Sequence, residues 1–205
     1  MECCKGRHDF LGYQRFRYLV SGILNLLLAG HVFTAQTVTV NTASSGSIPI
    51  PAGATNMEIE LYGASAVGGA LNGTGGGGGG GSGGLARTKL NVAGNNLQTI
   101  AYSVGAATSS STVSSGTFSL TTMTANSGNI GGTGSSGGPG GTGGTASGGN
   151  TLNQTGNTGT AGVTSSIGGA GAPGITGDLG TGNPGGHGAN TQTGGQPGLM
   201  VVKFT

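Results

Sequence analysis

In the stretch "GNIGGTGSSGGPGGTG" glycine occupies positions 128, 131, 134, 137, 140 and 143 without a miss. A side chain missing at every third position suits one backbone in particular. Polyproline II has three residues per turn and a rise of ~3.1 Å, so Gly128, Gly131, Gly134, Gly137, Gly140 and Gly143 would share one edge on which another backbone can rest. The period returns in a new register at Gly156, Gly159 and Gly162 and breaks at Ser165. It then resumes at Gly168, Gly171, Gly174, Gly177 and Gly180. Collagen uses the same period but needs roughly 15–20% proline, whereas this block has only Pro139, Pro173, Pro184 and Pro197. The pattern therefore predicts several short glycine helices packed side by side within one chain, bonded backbone to backbone, over 128–197. Such packing is called polyglycine II. Ordering each residue costs about 1–2 kcal/mol of backbone entropy, so inter-helix hydrogen bonds worth about 1 kcal/mol each must approach one per residue. A disordered Gly/Ser/Thr linker is the competing description. The unbroken period, and the strand pattern that follows it, favour order.

The flanking sequence has a period of two. "TVTV" (37–40), "SIPI" (47–50), "MEIELY" (57–62), "ARTKLNV" (86–92) and "QTIAYSV" (98–104) read as short half-buried strands. "STVSSGTFSLTTMT" (111–124) adds one or two Thr-rich strands, and "GLMVVKFT" (198–205) closes the chain with another. The run "GTGGGGGGGSGG" (73–84) reads as a link between two strands. Alternation puts Met57, Ile59 and Leu61 on one face with Glu58 and Glu60 on the other, and Leu90 and Val92 opposite Arg87 and Lys89. If the two strands are antiparallel neighbours, the glutamates face Arg87 and Lys89 across them. The expected fold is all-β: a small antiparallel β-sandwich with an inserted bundle of polyglycine II helices, preceded by a signal helix. Residues 1–35 form the signal peptide and 36–205 the glycine-rich β domain, with strands in 36–127 and 198–205.

The signal assignment rests on order. Lys5, Arg7, Arg15 and Arg17 precede the apolar run "YLVSGILNLLLAGHVF", which ends in "TAQ". A basic segment, an apolar run and a small-residue exit are the parts of a secretory signal, with cleavage after Ala35 leaving Gln36 as the new N-terminus. The run contains Ser21, Asn25 and His31 and falls short of the ~20 apolar residues a membrane span needs. Cys3 and Cys4 lie in the part removed, so neither disulfide nor thiolate site is expected. Downstream, only Arg87, Lys89 and Lys203 oppose Glu58, Glu60 and Asp178. That balance excludes the basic surface nucleic-acid binding needs.

Little in the mature chain suggests catalysis. "GGGSGGLARTK" lacks the GK[ST] ending and the following helix of a phosphate-binding loop. His187 is the one histidine after the signal, nine residues from Asp178, a spacing with no triad or metal meaning. Glu58 and Glu60, about 7 Å apart on one strand face, read as solubilising charges rather than a glycosidase pair. No cofactor and no metal are expected. Thr37 and Thr39, with Thr117, Ser119 and Thr121, place hydroxyls at strand period, which raises ice binding through a regular Thr/Gly surface as an alternative function.

"SIPIPAGATNMEIELYGASAVGG" before a glycine run, "LARTKLNVAGNNLQTIAYSVGAA" after it and a terminal "GQPGLMVVKFT" together resemble the glycine-rich domain of bacterial and phage tail-fibre and surface adhesin-like proteins. The resemblance covers most of the mature chain and implies a β-sandwich carrying polyglycine II helices, while the family's loop function does not carry over, because the glycine continuation after "LYGAS" is interrupted by "AVGGALN". The expected function is a secreted, non-catalytic structural or adhesive surface protein able to form filaments, binding through loops or sheet edges. The expected partners are a second copy of itself or a cell-surface glycan or receptor, without nucleic acid and without stable membrane insertion after cleavage.

Overall fold

The computed structural model describes residues 33–188 and 194–205. Most of the expected signal peptide, up to Val32, lies outside the described residues, and the expected signal helix with it. Among the described residues there is no helix, and the fold is all-β as expected.

Among the described residues ten strands form two antiparallel five-stranded sheets. In chain order they are β1 (Gln36–Val40), β2 (Ser44–Pro49), β3 (Asn56–Tyr62), β4 (Leu85–Asn91), β5 (Thr99–Val104), β6 (Ser111–Ser115), β7 (Met123–Ala125), β8 (Ala146–Ser147), β9 (Leu152–Gln154) and β10 (Leu199–Phe204). The first sheet runs β1-β10-β3-β4-β9 and the second β2-β5-β6-β7-β8. They pack as a sandwich, with β3 and β4 against β6, β7 and β8. The seven segments read as strands lie in or overlap β1 to β7 and β10. The two-residue β8 and three-residue β9 went unread, because two or three residues carry no period.

Between the sheets the core is made of the expected inward positions. Met57, Ile59 and Leu61 from β3 meet Met200, Val202 and Phe204 from β10, and all six are fully buried. Ile48, Ile100, Val113 and Met123 close it from the second sheet. Burial of side chains this size contributes about 1.5–3 kcal/mol each. On the outer face of the first sheet the register is Thr37–Lys203–Glu58–Lys89 in one row and Thr39–Val201–Glu60–Arg87–Leu152 in the next. The expected facing of Glu58 and Glu60 with Lys89 and Arg87 is therefore present.

The glycine segments are continuous with the strands. From β3 the chain runs out along 63–72 and back along 75–84 into β4. From β7 it runs out along 126–134 and back along 137–145 into β8. From β9 it runs out along 155–163, back along 167–176 and out again along 181–188. Segment 75–84 lies at the centre. Its amides at Gly78, Gly81 and Gly84 donate to the carbonyls of Gly132, Asn129 and Asn126; those at Gly76, Gly79 and Ser82 to Val163, Thr160 and Asn157; and Gly80 to Gly186. Its carbonyls accept from Gly63, Ala66 and Gly69, from Gly138, Gly141 and Gly144, and from Gly169 and Ala172. Those bonds join it to six neighbours, and consecutive bonds to any one neighbour are three residues apart. Around it the neighbours bond to one another in a closed ring, for example Asn129 to Thr142, Gly159 to Gly141 and Gly185 to Ala172.

Segment 73–84 was read as a link, and the ring of bonds makes it the hub instead. The glycine layer thus starts at 63, while β8 and β9 lie inside the 128–197 span assigned to it. A segment with neighbours all round has no free edge, so each position faces a backbone and seven consecutive glycines result. Outer segments keep one edge free, and side chains occur there: Pro139, Thr142 and Thr145 on 137–145 are all exposed.

Candidate functional site

Two places on this scaffold hold unusual chemistry: the turns at the far end of the glycine layer and the anchor that fastens the layer to the sandwich.

The period-three glycines do distinct jobs. A Cβ on Gly128 or Gly131 would fall on the carbonyls of Gly81 or Gly78 in the hub, and one on Gly140 or Gly143 on those of Gly159 or Gly156 next door. Gly171 and Gly174 meet Gly185 and Gly182 in the same way. Gly134 and Gly137 bracket a turn closed by the Gly137 amide donating to the Gly134 carbonyl at 3.1 Å. Gly137 has φ +114°, a conformation open to glycine. Gly168 opens the return segment. Gly177 and Gly180 continue the period but lie outside the layer: a Cβ on Gly177 would meet the Glu60 carboxylate and the Tyr62 hydroxyl, and one on Gly180 would touch Leu199 and Val201 at 3.3 Å. The sequence reading missed a second set. Gly138, Gly141 and Gly144 face Gly132, Asn129 and Asn126, and the GGX repeat of 137–145 was its visible sign.

At the far end, Gly73 (φ +61°) and the consecutive Ser165 (+75°) and Ser166 (+62°) turn the chain. Side chains rarely adopt that region, and a pair of such residues marks strain held by its surroundings. The Ser166 amide donates to the Thr74 carbonyl at 2.8 Å, and Val163 and Ile167 close the turn at 3.0 Å. Leu71, Val163 and Ile167, three of the five large apolar side chains exposed among the described residues, lie on these turns. The break in period at Ser165 is the turn itself. None of the turn residues between 70 and 75, 133 and 137, or 163 and 167 is charged.

The anchor centres on Glu60. It was expected on a solvated face; it is on the outer face of the sheet but fully buried, because segment 175–182 folds back over it. The amides of Asp178, Leu179 and Gly180 donate to its carboxylate at 2.7, 2.9 and 3.2 Å. Tyr62 Oη lies 2.7 Å from Glu60 Oε2 and 2.6 Å from the Gly180 carbonyl, so one hydroxyl proton serves two acceptors. Arg87 is 3.5 Å from Glu60 and pairs with Asp178. Ile175 packs with Tyr62 and Leu85, flanked by Leu152 and Leu199. Burial, then the hydrogen bond to Glu60 and its charge, push the Tyr62 pKa far above the ordinary tyrosine value.

Carboxylate oxygens of Glu58, Glu60 and Asp178 lie within 4.8 Å of one another, a spacing at which a metal ion could be held. Each already faces a cation, however: Arg87 for Glu60 and Asp178, and Lys89 for Glu58 at 3.1 Å. His187 is exposed on segment 181–188, and its Nδ1 accepts from the Gly171 amide at 3.4 Å; Asp178, its nearest acid in sequence, is engaged by Arg87. The hydroxyls expected on one face are dispersed. Thr37 and Thr39 are on β1, Thr117 bonds the Thr99 amide at 2.8 Å in a turn, and Ser119 and Thr121 lie in the loop before β7.

No known protein family's sequence profile matches the chain, and no curated protein is significantly similar to it.

Proposed function

We propose that the protein is a secreted, non-catalytic surface element in which the sandwich seats a rigid rod of polyglycine II helices and the turns at the rod's far end make adhesive contact. One observation carries this reading: segment 75–84 bonds to six neighbours at a three-residue period, the arrangement a polyglycine lattice requires. A backbone lattice has little use for a pocket, and its rigidity suits the presentation of loops at a distance from an anchored base. The exposed Leu71, Val163 and Ile167 supply apolar contact at those loops. Export fits the domain boundary, since β1 begins at Gln36 and a cut after Ala35 leaves it whole.

The test is adhesion of the purified protein to intact cells, followed by fluorescence, for the parent and for Leu71→Asp with Ile167→Asp. The reading expects binding by the parent and its loss in the variant while the melting temperature is kept. Equal binding by both would overturn it.

A second reading, ice binding, has its own observation, on a surface other than the one read from the sequence. Asn126 Nδ2 donates to Thr145 Oγ1 at 2.8 Å and Asn129 Nδ2 to Thr142 Oγ1 at 2.6 Å. The bonds of Gly156 to Gly144 and of Gly159 to Gly141 bring Thr155 and Thr158 alongside. Two uncharged Asn–Thr–Thr rows thus repeat at the lattice period, with two of the three side chains in each row held by a hydrogen bond. Thermal hysteresis abolished by Thr158→Lys would favour this reading; its absence in the parent removes it.

A further inference from the structure

The outer face of the first sheet holds a feature that neither the rod nor its turns explain. An open cavity of about 400 Å³ lies where β3 begins and β4 and β10 end. Two rows of side chains cross it. Lys203, Glu58 and Lys89 stand side by side in register, and Asn56 and Asn91 form the next row along the strands. All five residues have the same strand parity and so share the outer face.

The capacities of these groups are specific. Lys203 is exposed, and no ion pair among the described residues engages it. Lys89, 54% exposed, holds Glu58 Oε1 at 3.1 Å, which leaves its remaining ammonium donors outward. Glu58 Oε1 is shielded from solvent and takes no hydrogen bond from the described residues beyond that ion-pair contact. Asn91 Oδ1 accepts from the Ala93 amide at 3.0 Å, which turns its Nδ2 donors away from that bond. The Thr205 carbonyl at the rim already accepts from the amides of Thr55 and Asn56, both at 2.8 Å. The patch therefore offers one uncommitted cation, the outward donors of a second ammonium group held by Glu58, and a row of carboxamides.

We propose that this cavity binds a carboxylated sugar unit, such as a uronic acid residue of a surface polysaccharide. Lys203 takes the ligand carboxylate, Lys89 donates to a ring hydroxyl, and Asn56 and Asn91 bond the hydroxyls beyond. Among the side chains of the patch two ammonium groups stand against one carboxylate, which suits a single anion. Phosphate polymers are disfavoured, because Glu58 at the centre repels closely spaced anions and their binding needs several cations in a row. A neutral sugar leaves Lys203 unpaired. The volume lies at the lower end of the range of small-ligand clefts, which suits one or two sugar rings.

The site is on the sandwich, built without any glycine-layer residue, so it stands or falls apart from the adhesive turns. The test is isothermal titration of the purified protein with a glucuronic-acid disaccharide and with its carboxyl-reduced counterpart. The acid form should bind, the reduced form at least about tenfold more weakly, as expected for loss of one charge-assisted bond. Lys203→Gln should cost a similar factor and abolish the preference for the acid, and raising salt should weaken only the acid form. Lys203 is exposed, so the variant is expected to melt with the parent. Absence of binding by the parent, equal affinity for both sugars, or an unaltered Lys203→Gln variant would overturn the proposal.

Discussion

The sandwich and the glycine layer are bonded by the same backbone groups but tolerate change in opposite ways. In the sandwich, side chains fill the space between sheets, so Leu61 or Phe204 contributes by its bulk and a smaller residue leaves a cavity. In the glycine layer, backbone fills the space between backbones, so a residue contributes by what it lacks and a larger one must push a neighbouring segment away. The layer has its own internal gradient. The hub has six neighbours and is almost pure glycine, whereas segment 137–145 has one free edge and carries a side chain at every third position. Glycine content follows the number of neighbours, not flexibility.

The sharpest way to break this comparison is a branched side chain in the hub. Gly79 donates to Thr160, accepts from Gly141, and a Cβ there would fall on the Ala170 carbonyl. Gly79→Val should therefore disturb three segments and lose several bonds of about 1 kcal/mol together, matching or exceeding Leu61→Ala at about 2–5 kcal/mol. Urea denaturation of the two variants measures this, and a mild Gly79→Val would break the contrast.

Next in size is the anchor between the two regions. Glu60→Gln leaves a neutral group facing Arg87 and removes one acceptor for the Asp178, Leu179 and Gly180 amides. Breaking a buried pair costs about 3–5 kcal/mol, and proteolysis within 175–182 should accelerate at the same time. The same anchor gives a pH dependence. Tyr62 holds its proton more tightly when folded than when unfolded. Its contribution is complete below a pH of about 10, where the unfolded chain's tyrosine begins to ionise, and falls as pH rises further. Thermal melts of Tyr62→Phe against the parent should show a shallower alkaline decline for the variant.

Smaller again are the outer turn and the free edges. Gly137→Val meets both a positive φ and the Gly162 carbonyl, so it should lower the melting temperature more than Gly134→Val, whose Cβ has a single close neighbour at 2.6 Å. Thr133→Val and Ser135→Val should change it least. Thr158→Val on the outer edge should stay within about 0.5 kcal/mol, the usual range of surface changes.

Much of the sandwich was legible because a strand with one buried face writes a period of two. Met57, Ile59 and Leu61 against Glu58 and Glu60 fixed both the strand and its faces, and the pairing of Glu58 with Lys89 followed from register. The period of three was legible for the same reason wherever one edge remained free to carry Thr, Pro or Ala. The hub was not, since seven glycines in a row have no period to read; the available clue was a run as long as the segments beside it, set between two strands. Burial of Glu60 was also hidden. Alternation placed it on the outer face correctly, but its cover comes from residues 175–182, far along the chain, and nothing local announces them. The cavity at Lys203 needed three strands to meet before it could be seen.

Native-state hydrogen exchange at the hub amides tests the central claim most directly. If backbone packing orders the glycine layer, the amides of Gly76, Gly78, Gly79, Gly81 and Ser82, each bonded to another segment at 2.8–3.1 Å, should be protected as strongly as those of β3, and all should be released together by Gly79→Val. Exchange of these amides at the rate of an unstructured Gly/Ser chain, while β3 stays protected, would contradict the account.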